Sequence, residues 1–85
     1  TIIRYVLGEE ANEVKIEIYD LIGYLTRSWK FESGDEYCQK GSHEVEWFLK
    51  NDMGMDVAKG GYICRITVES PKGKVQEIRK IGVIR

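Results

Sequence analysis

The sequence predicts an all-β fold: an immunoglobulin/fibronectin-like antiparallel β-sandwich of six to seven strands, formed by one domain over residues 1–85. Three observations carry that prediction. Val14-Lys15-Ile16-Glu17-Ile18 alternates apolar with charged side chains, the period of a strand with one buried face. Trp47, Gly54, Val57 and then Gly60-Gly61-Tyr62 form the pattern by which a small sandwich crosses from one sheet to the other. Ser70-Pro71-Lys72-Gly73 separates two further apolar runs as a hairpin turn, with Pro71 presetting φ and Gly73 free to take a left-handed bulge conformation.

In chain order, Ile2, Ile3, Tyr5 and Leu7 suggest a first strand, and Gly8 through Asn12 a turn into the alternating second strand. After Asp20, Gly23 permits the positive φ of a tight connection, and Tyr24 to Trp29 returns as the third strand. Residues 32–41 are polar and bounded by Gly, which predicts a loop with a short edge strand at Tyr37 and Cys38. Val45 and Trp47 alternate with Glu44 and Glu46 as another strand, with a helix over Glu44 to Met53 as the competing reading. From Lys50 to Lys59 no period survives, and Asn51, Asp52, Gly54 and Asp56 form a cross-over loop. Tyr62, Cys64, Ile66 and Val68 point one way from a long strand. Val75, Ile78, Ile81, Val83 and Ile84 supply the last strand, whose spacing slips near Glu77 to Lys80 and predicts a bulge or bend there.

Eighty-five residues can bury one thin core, with little room for a deep pocket. Thirteen Lys and Arg stand against fourteen Asp and Glu, so no general electrostatic pull toward nucleic acid or an anionic membrane is expected. The first 42 residues carry a net charge of −3 and the rest +2, the basic excess lying in Lys72, Lys74, Arg79, Lys80 and Arg85. An exposed face of the final strand accounts for those cations. No apolar run approaches the roughly twenty residues that span a bilayer, so no membrane insertion is expected. Beginning at Thr1 without an export segment, the sequence reads as a piece of a longer polypeptide.

Few residues invite chemistry. Cys38 and His43 lie five positions apart, but neither a third orienting group nor a pocket accompanies them, and the chain is read as no enzyme. A Cys38–Cys64 disulfide is one reading of the two Cys; the alternative is a free Cys64 packed inward as a small hydrophobe. Two Cys and one His lack a fourth zinc ligand, and Asn51, Asp52 and Asp56 lack the spacing and closing Glu of a calcium loop, so no cofactor or metal is expected. Tyr5, Tyr19, Tyr24, Trp29 and Tyr37 could stack sugar rings; for nucleic acid the phosphate-binding charge is missing. Phe48, Leu49, Met53 and Met55 are a candidate partner surface, because adaptable apolar side chains beside a loop mark such patches. The alternative is that Phe48 or Leu49 covers the open end of the sandwich.

Several segments together resemble a family. Thr1 to Leu7, Val14 to Asp20 followed by Gly23, Gly41-Ser42-His43-Glu44-Val45-Glu46-Trp47, Gly54 to Val57, Gly60-Gly61-Tyr62 and the closing Lys80 to Arg85 look like the flagellar-hook-capping type of immunoglobulin-like domain. That module also recurs at the C-terminus of large secreted bacterial proteins. The likeness covers nearly the whole chain, although Phe48-Leu49 stands where the family commonly has Asp-Gly after the Trp. It implies a non-catalytic structural or sorting module of a secreted or cell-surface protein, with Arg79, Lys80 and Arg85 as a candidate sorting strand. The partners it implies are the preceding domain of the same polypeptide and the secretion or surface machinery. Docking onto the upstream domain, a surface assembly or a polysaccharide is the alternative. The sequence sets no oligomeric state.

Overall fold

A computed structural model describes residues 1–84. The order is β1 (Ile2–Leu7), β2 (Glu13–Asp20), β3 (Leu25–Glu32), a 3-10 turn (Glu36–Cys38), β4 (Gly41–Glu46), β5 (Gly60–Ser70) and β6 (Gly73–Val83). The strands form two antiparallel sheets packed as a sandwich, a small one of β1 and β4 and a large one ordered β3-β2-β5-β6. The all-β sandwich expected from the alternation is therefore present, with six strands among the described residues. No α-helix forms over Glu44 to Met53.

Alternation decides which side chains fill the core. Ile3, Tyr5 and Leu7 of β1 face Val14, Ile16 and Ile18 of β2 and Tyr62, Cys64 and Ile66 of β5 across the sandwich, with Val45, Val57 and Val83 closing it. Val14, Ile16 and Ile18 are completely buried, and each contributes roughly 1.5–3 kcal/mol by leaving water. Tyr5 keeps its hydroxyl satisfied inside this core by donating to the Tyr37 carbonyl at 2.7 Å. Burial pushes that phenol well above its ordinary pKa, with Cys38, Tyr37 and Asp35 adding to the effect.

The two sheets are offset by their strand number. β4 lies over β3, where Glu46 and Trp47 share a cleft with Arg27 and Trp29. β1 lies over β2 and β5, and a cleft walled by Leu7, Val68 and Val75 opens between its free edge and β6. At the tip of the β5–β6 hairpin, Lys72 Nζ reaches Glu9, in the connection that follows β1, at 3.2 Å.

Three local expectations differ. Tyr37 and Cys38 belong to the 3-10 turn, not to an edge strand: Asp35 accepts from the Tyr37 amide through its side chain and from the Cys38 amide through its carbonyl, and both bonds curl the chain. β6 carries neither bulge nor bend near Glu77 to Lys80, because its pairing with β5 runs in unbroken register from Gly60↔Val83 to Ser70↔Gly73. The single irregularity in the large sheet's pairings lies instead between Ile18 and Tyr19, opposite the start of β3 at Leu25. Trp47 falls one residue beyond β4, although its amide still donates to the Thr1 carbonyl at 2.7 Å.

Candidate functional site

The cross-over loop after β4 is a built structure. Trp47, 1% exposed, stands edge-on to Tyr62 with ring centroids 5.6 Å apart, and its Nε1–H donates to the Lys50 carbonyl at 2.9 Å. That bond turns the chain back immediately after the indole. Leu49 adopts φ 61°, the left-handed region that costs a branched side chain on the order of 1–2 kcal/mol. The strain is held by the surrounding bonds: Val57 N–H donates to the Leu49 carbonyl at 3.0 Å, and Lys50 bridges to Asp56.

Asn51 and Asp52 then fix the tip. Asn51 Oδ1 accepts from the amides of Met53 and Met55, both at 2.9 Å. Asp52 ties the loop to the outer edge of β3, its amide donating to the Thr26 carbonyl and its carboxylate accepting from the Ser28 amide, the Ser28 hydroxyl and Arg27. Burial alone would raise the Asp52 pKa; the bonds from Ser28 and Arg27 outweigh it and hold the carboxyl below its usual value. These acidic and amide side chains are thus occupied in turn and edge bonds.

What the loop presents outward is apolar. Phe48, Met53 and Met55 are 75%, 81% and 56% exposed, while Leu49 packs partly against the core. The four residues of the candidate partner surface therefore divide: three face solvent, and Leu49 closes the sandwich end. Leu21, Ile22 and Tyr24 of the β2–β3 turn and Leu25 at the start of β3 are exposed as well; in the sequence Tyr24 stands out only as a sugar-stacking candidate, and Leu21, Ile22 and Leu25 are not singled out as surface residues. Tyr24 and Leu25 share a cleft with Asn51 and Asp56, so the turn and the loop meet at the same end of the molecule. A second cleft of about 320 Å³ opens beside Phe48, over Arg27, Trp29 and Trp47.

The remaining candidates are drawn into the fold. Cys38 and Cys64 are both free and completely buried. The Cys38 thiol donates to the Phe31 carbonyl at 3.3 Å. Burial raises the pKa of each thiol, which keeps it protonated and poorly nucleophilic. His43 places Nε2 2.6 Å from the Gln39 carbonyl, an acceptor, and its ring leans on Tyr5 and Tyr37. No group of three His, Cys, Asp or Glu positioned to hold a metal exists among the described residues.

The aromatic residues do not assemble into one platform. Tyr5 is in the core, Tyr37 stacks on Phe31 at 4.5 Å, and Trp29 lies under Arg27. Tyr19 lies beside Arg65 and shares a cluster with Glu17, whose carboxylate accepts from both. Burial would raise Glu17, but the Arg65 and Tyr19 bonds reverse it and leave its pKa lowered.

Of the candidate sorting strand, Arg79 is turned inward. It pairs with Glu77 at 2.7 Å and donates to the Arg4 carbonyl on β1, whereas Lys80 is exposed on the opposite face. Arg85 lies outside the described residues. The fold and these surfaces define a small β-sandwich module with an apolar end. The chain matches no protein-family model and no curated protein.

Proposed function

We propose that this domain is a non-catalytic module of a secreted or cell-surface protein that works by docking its apolar end onto a neighbouring domain or surface assembly. The observation that carries the reading is the exposure of Phe48, Met53 and Met55 on the cross-over loop and of Leu21, Ile22, Tyr24 and Leu25 on the β2–β3 connection, two segments that meet where Tyr24 and Leu25 line one cleft with Asn51 and Asp56. Exposed apolar side chains gathered in this way mark protein contacts, and the two Met can repack to suit the partner. The bonds of Asp52 and Asn51 hold the loop in shape before any partner arrives, which lowers the entropy cost of docking.

Export to the cell surface is supported by the resemblance to the flagellar-hook-capping type of immunoglobulin-like domain. A sorting role centred on the last strand has narrower support, since Arg79 is engaged within the fold and Lys80 is the exposed cation of the pair. Fractionation of cells producing the native polypeptide with and without this domain tests the reading. A docking module leaves transport intact and loses assembly or stability; retention of the truncated protein inside the cell assigns the module to sorting instead.

A further inference from the structure

The open edge of β1 and the uncovered inner face of β6 meet in one place. Thr1 and Trp47 exchange both backbone bonds, Trp47 N–H to Thr1 O at 2.7 Å and the Thr1 amine to Trp47 O at 3.2 Å. In the antiparallel register Ile2↔Glu46, Ile3↔Val45, Arg4↔Glu44, such bonded pairs alternate, so the N–H and C=O groups of Ile2, Arg4 and Val6 point away from β4. The position of Arg79 confirms the direction, because its guanidinium reaches the Arg4 carbonyl from β6.

Beneath that edge the large sheet is bare. Val75 shares the inner face with Val68 and Ile66 but is 66% exposed, since no strand of the small sheet lies above it. Clefts of about 300 and about 150 Å³ run here, sharing Val6, Leu7, Val68 and Val75 in their walls. The site therefore offers a row of edge amides and carbonyls above an apolar trough, the two elements by which a sheet accepts an added strand.

We propose that this edge and trough bind one extended strand of a partner polypeptide, alternating β-branched apolar with polar residues. Its backbone pairs with Ile2, Arg4 and Val6. An apolar side chain fills the trough over Leu7, Val68 and Val75, and a polar one lies over Glu77 and Arg79. A second copy of the domain does not fit: it would bring its own β6 beneath the same edge, where β6 already lies, and a two-fold centred on Arg4 would oppose like charges. A lone strand with no second layer meets neither obstacle. Arg79 holds the Arg4 carbonyl until the strand displaces it. This site is independent of the apolar end.

The experiment uses the 85-residue chain and a short acetylated peptide alternating valine with threonine, carrying a lysine at each end for solubility. Amide exchange by NMR is expected to slow at least tenfold at Ile2, Arg4 and Val6 when peptide is added. Val75→Lys, at an exposed position that tolerates it, is expected to weaken binding at least tenfold, and Arg79→Ala to tighten it severalfold. Unchanged exchange at those three amides with millimolar peptide overturns the proposal. So does protection confined to the outer edge of β6, or protection of β1 that appears without peptide as protein concentration rises, which would assign the edge to a second copy.

Discussion

The Trp47 indole N–H donates to the carbonyl of Lys50, three residues ahead, at 2.9 Å. One side chain thus both fills the core and turns the chain that leaves it. Trp47→Phe removes that bond, leaves the Lys50 carbonyl unsatisfied and opens space beside Tyr62. We expect a loss of about 2 kcal/mol, from a buried hydrogen bond plus a small cavity. Urea unfolding followed by Trp29 fluorescence should show a lower midpoint at unchanged slope; a shift corresponding to less than about 0.5 kcal/mol contradicts the anchoring role.

Asp52 joins the cross-over loop to β3 through Ser28 and Arg27. Its pKa is lowered in the folded protein, so its contribution to stability is present above the unfolded value of about 3.9 and is lost as pH falls through the folded value. The carboxylate is 42% exposed and solvent screens it, so Asp52→Ala is expected to cost only about 1 kcal/mol. The sharper signature is local. The Ser28 amide should be protected from exchange at neutral pH and lose protection on acidification before the core amides of β2 and β5 do. Simultaneous loss everywhere would show that the loop has no separate tether.

Glu17 carries the same sign, since its pKa is also lowered by Arg65 and Tyr19. Glu17→Gln should flatten the acid limb of the stability curve, because a group that no longer titrates contributes no proton uptake on unfolding. A limb as steep as that of the unsubstituted protein would mean that the Arg65–Glu17 pair at 2.9 Å is energetically idle.

Cys38 and Cys64 are buried as free thiols with raised pKa values. Iodoacetamide should leave both unmodified in the folded domain, and denatured, unreduced protein should titrate two thiols. A count of zero would establish a bridge, while rapid alkylation of either one in the native state would contradict its burial.

Legibility in the sequence followed the physics of each segment. β2 and β5 are central strands with one covered face, so Val14, Ile16 and Ile18 and then Tyr62, Cys64 and Ile66 print a clear period of two. β6 is an edge strand whose inner row reads Val75, Glu77, Arg79, Ile81 and Val83, and with Glu77 and Arg79 in mid-row and Ile78 outside, its apolar spacing slips in the way a bulge would make it slip. The polar residues are tolerated because the small sheet leaves them uncovered. Of the candidate site, Phe48, Met53 and Met55 were readable as apolar residues in a loop. Leu49 was not readable as a left-handed residue, because Leu carries no signal for that conformation and the surrounding bonds impose it. The inward turn of Arg79 depends on which strands face each other across the sandwich, a relation that no local pattern encodes.

The docking claim is tested most directly by a triple variant, Phe48→Ser, Met53→Ser and Met55→Ser, placed in the native polypeptide and in the isolated domain. The three side chains are exposed, so the isolated variant should unfold within a few degrees of the unsubstituted domain. With folding so verified, fractionation of cells producing the native polypeptide is expected to show the variant exported but released from its assembly or more readily proteolysed. A variant that remains assembled and protease-resistant to the same extent as the unsubstituted protein would contradict docking through this end.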